Sequence, residues 1–540
     1  MGALTLKSFP FELRGWDIEK FESLDPTDSF GSNTRVYISK DQVVLIEPDY
    51  NTNTFNTWLT DKGRQFFDGV FDSWNPNSES SSNQQTLKKE SWFEIIETLL
   101  KTIYIFDHCN KQQSKKAFFI IVFENLSLEV LNLLLIISQN YSFIKLRRAE
   151  NIQVENDLEA MFQLNVASNK IRLNSSTLCL LISSNPRYEG YYLNLNLRQR
   201  FLKGNFKCLS IGSLVDLTFP VSFLGSNLNV LKSISEGNSF VCQDFKRANN
   251  PLIVYNSELL KRSDGKNILK MLKILNYSTT FNQSWNGLNM LSSALSENGN
   301  QLTAKFLPLT LKDLTSFNVL YFLNVTTNNI ANIKKITELT LLNYSFPVEV
   351  EKIQGKVIID QNYKINTNSN FLCTDKTLQH YLYLPTSTFY ENDETFVNTE
   401  GFVKRTTKLI SRKKTRNNWQ ILRKFFTALK KKIMFVNQKD NELIYFNSRK
   451  IVNFKNYIHF HYYAVQSLTN LNFYLTVKTN PIVFNSKFLP FKPKFGKINN
   501  TKLNYWLNDF FSGGKDEYSQ NSLTLTNCSK ILRSESSNFF

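Results

Sequence analysis

Short, uninterrupted apolar runs alternate with amphipathic stretches from about residue 91 to residue 385. The runs are "AFFIIVF" (117–123), "TLCLLIS" (177–183), "FKCLSIG" (206–212), "PLIVYN" (251–256), "NVLYFLNV" (318–325) and "KVIID" (356–360). Apolar on consecutive positions, they predict strands buried on both faces, and the helical periodicity between them predicts covering helices, hence parallel α/β sheets. "KNILKMLKIL" (266–275) predicts one such helix. Ser91 with Glu94 at capping-box spacing, followed by Trp92, Ile96, Leu99 and Ile103 on one face, predicts another.

Ahead of this region the pattern changes. "TRVYISKDQVVLIEPD" (34–49) reads as a hairpin turning at Lys40-Asp41, inside a β-rich unit over 1–73. "NPNSESSSNQQ" (75–85) is too polar to bury and marks a linker over 74–90. The expected organisation is completed by α/β subdomains over 91–275 and 276–385 and a C-terminal region over 386–540. A chain of 540 residues needs several cores of this kind.

Composition narrows the picture. The six cysteines (Cys109, Cys179, Cys208, Cys242, Cys373, Cys528) form no C-x-x-C pair and so no zinc or iron–sulfur run, which suggests buried thiols in a reducing compartment. No apolar run reaches the roughly 18 residues that span a bilayer, and neither a signal nor a transit peptide fits ahead of Gly2. A soluble or peripheral protein is expected. The enrichment in Phe (45) and Tyr (22), with Asn, Lys and Ile, follows A+T-rich codons and suggests an organellar genome. The net charge of +18 invites nucleic acid, but it is diffuse except in "KLISRKKTRNNWQILRKFFTALKKKIMF" (408–435). There Trp419, Leu422, Phe426 and Leu429 recur at helical spacing beside Arg423, Lys424, Lys430, Lys431 and Lys432, and the favoured reading is a helix packed by its apolar face.

Candidate chemistry is sparse. The best-formed loop is "LLISSNPRYEG" (180–190), which places Asn185, Arg187 and Tyr188 at the carboxyl end of a buried strand, where open α/β sheets bind ligands. The plainer alternative is that Asn185-Pro186 makes the turn and Arg187 pairs with a carboxylate. There is no G-x-G-x-x-G or Walker loop, and "SGGKDE" (512–517) lacks the spacing. His459 and His461 share a strand face without a third metal ligand, and His108 beside Cys109 is not read as a nucleophilic pair.

The opening segment carries a resemblance. Gly2, Ala3, Leu4, Thr5, Lys7, Phe11, Arg14, Trp16, Glu22, Ser23, Asp25, Asp28, Gly31, Ser32 and Asn33 follow the pattern G-A-L-T-x-K, F-x-x-R-x-W, E-S-[IL]-D-x-x-D-x-x-G-S-N. Asn56, Trp58, Asp61, Lys62, Arg64 and Asp68-Gly69 fit a second block, "SSNPRYEG" a third, and "YLPTSTFYENDETFVNTEG" (383–401) a fourth. These blocks resemble the molybdopterin-oxidoreductase-like region of the 75 kDa family of respiratory complex I, in its mitochondrial and bacterial forms.

The resemblance implies a multi-subdomain α/β fold with parallel sheets and a β-rich N-terminal unit. It implies a subunit of the matrix arm supporting electron transfer from NADH to ubiquinone. Because this sequence departs from the family in having no cysteine before Cys109, a structural, cluster-free role is expected, with no catalytic residue and no cofactor bound by this chain. The family's cysteine-rich region, which precedes this point, is expected on a separate polypeptide, a split subunit. Iron–sulfur clusters and FMN would then reside in partner chains. Lys7, Arg14, Trp16, Glu22, Asp61 and Arg64 are the candidate partner interface, and Asn185, Arg187 and Tyr188 a vestigial pterin loop. The other peripheral-arm subunits are expected neighbours, nucleic acid is not, and the membrane is met only through the complex. The expected place is the matrix side of the mitochondrial inner membrane, with a mitochondrial gene. The rival readings are a live molybdopterin oxidoreductase module and a basic nucleic-acid-binding protein.

Overall fold

The computed structural model of the chain describes residues 13–49, 58–72, 118–140, 144–150, 170–212, 216–279, 287–292, 294–302, 307–310, 313, 317–326, 329, 356–362, 378–410, 415–437, 498–503 and 517–537. The expected Ser91 helix, the linker, Lys7, the His108-Cys109 pair, His459 and His461 lie outside the described residues. Strands β1 (Glu19–Leu24), β2 (Asn33–Ser39) and β3 (Gln42–Pro48) form an antiparallel sheet in that order. The β2–β3 hairpin turns at Lys40 and Asp41, both left-handed (φ 49° and 62°), as a type I′ turn demands. Val36, Ile46, Phe66 and Val70 are buried beneath this sheet.

Two five-stranded sheets follow, every neighbouring pair parallel. The first runs β13 (Leu378–Pro385), β12 (Lys356–Asn362), β11 (Phe317–Leu323), β4 (Phe118–Phe123), β5 (Ile144–Arg148). In chain order this is a doubly wound sheet whose direction of growth reverses between β4 and β11. The second runs β10 (Leu288–Leu291), β9 (Leu252–Asn256), β6 (Leu178–Ile182), β7 (Lys207–Ile211), β8 (Ser222–Gly225), reversing between β6 and β9. All of β6 and β9 is buried, as continuous apolar runs require, and so is the edge strand β10. Each fully buried Leu or Ile contributes about 1.5–3 kcal/mol over its exposed state, so these strands anchor the two cores.

The sheets cut across the expected 91–275 and 276–385 division. The chain leaves the first sheet after β5, builds the whole second sheet, and returns at β11. A doubly wound order tolerates this because β11 needs only an open edge beside β4 to continue the sheet. The C-terminal region is likewise not separate. Helix Asn418–Asn437 buries Trp419, Ile421, Leu422, Phe425 and Phe426 in the core of the first sheet, with Phe425 stacked on Phe119 at 6.0 Å. Antiparallel β14 (Thr395–Val397) and β15 (Val403–Arg405) and helices Glu517–Asn521 and Leu523–Ser537 return to the N-terminal unit, where Thr524 N–H donates to Asp68 Oδ2 at 3.1 Å. Among the described residues no helix is long and apolar enough to cross a membrane.

Candidate functional site

The polar segments singled out in the sequence meet around residues 25–33. Asp25 Oδ1 accepts from the Thr27 amide (2.8 Å) and hydroxyl (2.7 Å), and Asp28 Oδ2 accepts from the Ser32 hydroxyl (2.6 Å), so the loop is stapled by its own carboxylates. Gly31 holds φ 55°, a left-handed conformation that suits glycine. Onto this loop comes the turn after β14: Thr399 N–H and Oγ1 both donate to the Ser29 carbonyl at 3.0 Å, and Asn398 Nδ2 to the Phe30 carbonyl at 3.2 Å. Lys404 Nζ donates to the Gly31 carbonyl at 2.6 Å. From helix Tyr191–Leu202, which follows a strand of the second sheet, the Tyr191 hydroxyl donates to the Trp58 carbonyl and lies 2.8 Å from Ser32 Oγ. Gly190 lets Phe30 approach, since a Cβ there would stand 2.7 Å from Phe30 Cε2. Burial, then the neighbouring Asp28, pushes the Asp25 carboxyl up to about 7, and burial also raises Asp28.

The carboxyl ends of the two large sheets share a second polar cluster. Lys261, after β9, places Nζ 2.5 Å from Glu150, 2.7 Å from Glu258 and 3.8 Å from Glu297. Glu150 follows β5 of the first sheet and Glu297 follows β10 of the second, so one ammonium ties the sheets together. Glu124, after β4, accepts from the Thr326 amide (2.9 Å) and hydroxyl (3.1 Å) after β11, spanning the reversal of the first sheet. Burial opposes the Lys261 charge, but Glu150, Glu258 and Glu297 outweigh it and hold its pKa well above the ordinary lysine value. Burial pushes Glu150 up to about 7 and raises Glu124.

At the reversal of the second sheet lies the loop expected as a ligand site. Asn185 N–H donates to Glu189 Oε2 at 2.9 Å and Asn256 Nδ2 donates to Glu189 Oε1. Arg187 Nη1 pairs with Asp216 at 2.8 Å and its guanidinium stands 5.8 Å from the Tyr188 ring. The structure therefore shows the plainer arrangement for Arg187, an ion pair with a carboxylate, and Pro186 opens the short helix Pro186–Glu189. Of the interface candidates, Arg14 and Trp16 come together: the guanidinium lies 6.0 Å over an indole that is 81% exposed. Glu22 and Asp61 are exposed and Arg64 is half-buried. Sequence reasoning missed Glu189, Lys261 and Glu297, whose roles arise only when strands distant in the chain align.

A pterin dinucleotide does not fit the residues at these sites. Past β4, β11 and β13 the cavity measures about 80 Å³, far below the roughly 300–1,000 Å³ of pockets for larger ligands. Phosphates entering the two reversals would also face the buried carboxyls of Glu124 and Glu189. Among the described residues no group of His, Cys, Asp and Glu is arranged to hold a metal ion.

Paired doubly wound parallel sheets, locked to a small antiparallel unit by asparagine, threonine and glycine loops, define an α/β protein of the molybdopterin-enzyme class. The chain belongs to the molybdopterin oxidoreductase family, whose model matches residues 84–428. The model of the NADH-ubiquinone oxidoreductase NDSU1/NuoG-like 4Fe-4S domain matches residues 18–68. That stretch contains neither cysteine nor histidine, so it offers no usual donor to a cluster.

Over 99% of its length the chain is 26% identical to the NADH-ubiquinone oxidoreductase 75 kDa subunit of Reclinomonas americana, covering 71% of that protein. It is 24% identical over 81% of its length to the mitochondrial 78 kDa subunit of Candida albicans, and 25% identical over 54% to the G component of the Rickettsia typhi NADH-quinone oxidoreductase. It spans 56% and 42% of those two relatives. A chain of the formyltransferase/hydrolase complex from Methylorubrum extorquens aligns over 64% of this chain and 98% of its own, at 10% identity and TM-score 0.40, too distant to bear on function.

Proposed function

We propose that the chain is a cluster-free structural subunit of the peripheral arm of respiratory complex I, on the matrix side of the mitochondrial inner membrane. It supports electron transfer from NADH to ubiquinone by covering and positioning an iron–sulfur partner region. The clusters and FMN belong to partner chains, and the Asn185–Tyr188 loop is a structural remnant of a pterin site. Homology to the mitochondrial 75 kDa protein and its bacterial counterpart supports membership of the complex. The observation that carries the scaffold role is the loop hub at residues 25–33. Asp25 Oδ2 apart, its polar groups bond within the loop or tie the N-terminal unit to the β14–β15 turn and to the segment after β6.

In this reading Arg14 and Trp16 form the centre of the docking face, with Lys7, Glu22, Asp61 and Arg64 around it. An indole 81% exposed contributes little to the fold but suits the centre of an interface. The test is Trp16→Ala. Its thermal unfolding should match the wild type, while the assembled complex on a native gel should fall by roughly tenfold or more, as for an interface hot spot. Full assembly with this variant would remove Trp16 from the interface.

A further inference from the structure

The cavity of about 80 Å³ past the carboxyl ends of β4, β11 and β13 has two unlike walls. One is aromatic: Phe389 stacks on Phe396 (centroids 6.1 Å, planes 28° apart) and meets Tyr518 edge-on (6.4 Å, 61°). The other is rich in acceptors, formed by Glu394, Asn125 and Asn324. Asn125 and Asn324 end the adjacent strands β4 and β11 in left-handed conformations (φ 44° and 49°), which sets both amides at the cavity. Asn125 Oδ1 accepts from Ser296 Oγ at 2.9 Å, whereas Asn324 Oδ1 is buried with no hydrogen-bond partner. Glu394 takes one bond, from Asn392 Nδ2 at 3.3 Å, and among the described residues no cation pairs with it.

Ring faces attract a cation, a carboxylate neutralises it, and a free amide oxygen accepts its N–H. We propose that this cavity binds a short alkylammonium group, its carbon body against Phe389, Phe396 and Tyr518 and its ammonium donating to Glu394 and Asn324. An anion would meet the carboxylate, and a neutral alcohol, with one O–H and no charge, could not bond Glu394 and Asn324 together or attract the ring faces. The volume admits a few carbons and one nitrogen. Both a free small amine and the tip of a partner chain's lysine carry this chemistry.

The titratable groups that face Glu394 among the described residues are Glu129 of helix Leu128–Asn140 and the adjacent Asp393. Burial first, and then those two carboxyls, push Glu394 up to about 8. A bound ammonium must displace that proton, so affinity should rise about tenfold per pH unit up to about pH 8 and level off above it.

The test is calorimetric titration of the full-length protein with ethylammonium chloride and, in parallel, with a short lysine-containing peptide, at about pH 7 and about pH 8.5. The expected result is saturable binding, tighter at the higher pH, absent with ethanol or acetate. Glu394→Gln, with unchanged thermal unfolding, should weaken it by roughly tenfold or more. Tighter binding of the peptide than of ethylammonium identifies a partner lysine as the source; the reverse identifies a free amine. If neither ligand saturates, or ethanol competes equally with ethylammonium on the wild-type protein, the proposal is wrong, and these two readouts need no variant to fold.

Discussion

Asp25 is fully enclosed, with Oδ1 holding both Thr27 bonds and Oδ2 holding none. A Cβ on Gly63 would stand 2.1 Å from that oxygen, so the backbone leaves room for the carboxyl but nothing that bonds it. Its pKa, pushed up from 3.8 to about 7 by burial and then by Asp28, fixes the sign of a pH effect. Between those values the folded state holds a proton that the unfolded chain has released. Stability from this group is therefore full below about pH 4 and is lost as pH rises toward about 7. Asp25→Asn should flatten the fall and gain about 1–3 kcal/mol at pH 8, read as the difference between wild-type and variant urea unfolding at a series of pH values. An unchanged slope would mean that Asp25 is ionised in the fold. The aspartates are visible in the sequence as a recurring pattern, but their work is not. Thr399 and Lys404, which close the hub onto Ser29 and Gly31, lie some 370 residues away in the chain.

At the scale of elements, the apolar runs locate β4, β6, β7, β9, β11 and β12, and each of these is an interior strand of its sheet. No such run marks β5, β8, β10 or β13, and they are the four edges of the two five-stranded sheets. An interior strand is covered on both faces and flanked on both sides, so its middle positions form an apolar run, as Val357, Ile358 and Ile359 do in β12. An edge strand can keep polar positions, as β5 does with Lys145 and Arg147 alternating with buried neighbours. The joint between the sheets is equally hidden, because Glu150 follows β5, Lys261 ends helix Glu258–Lys261 and Glu297 opens helix Glu297–Leu302, three places that only strand order brings together. Lys261→Met should cost about 3–5 kcal/mol, since it leaves largely buried carboxylates without their ammonium. Chemical denaturation would show it, and adding Glu297→Gln should restore part of the loss. A single variant as stable as the wild type would show that the sheets are joined by apolar packing alone.

For the whole molecule, the chain is threaded so that among the described residues no region is independent. The second sheet is inserted within the first, the Asn418 helix fills the first sheet's core, and the C-terminal helices return to the N-terminal unit. The fold class is legible in the sequence because burial on both faces leaves a mark at every position of a strand. The discontinuous threading is not, because a run of apolar residues does not record which sheet it joins. Such closure suits the proposed supporting role, in which the exposed Arg14–Trp16 pair is the proposed docking face. The most direct measurement is mass spectrometry of every polypeptide retained with this chain through a mild-detergent native purification, together with iron analysis of each. The account predicts a cysteine-rich, iron-containing partner alongside flavin- and quinone-site subunits, with no iron in this chain itself. Recovery of the chain alone, or with iron bound to it in isolation, would contradict it.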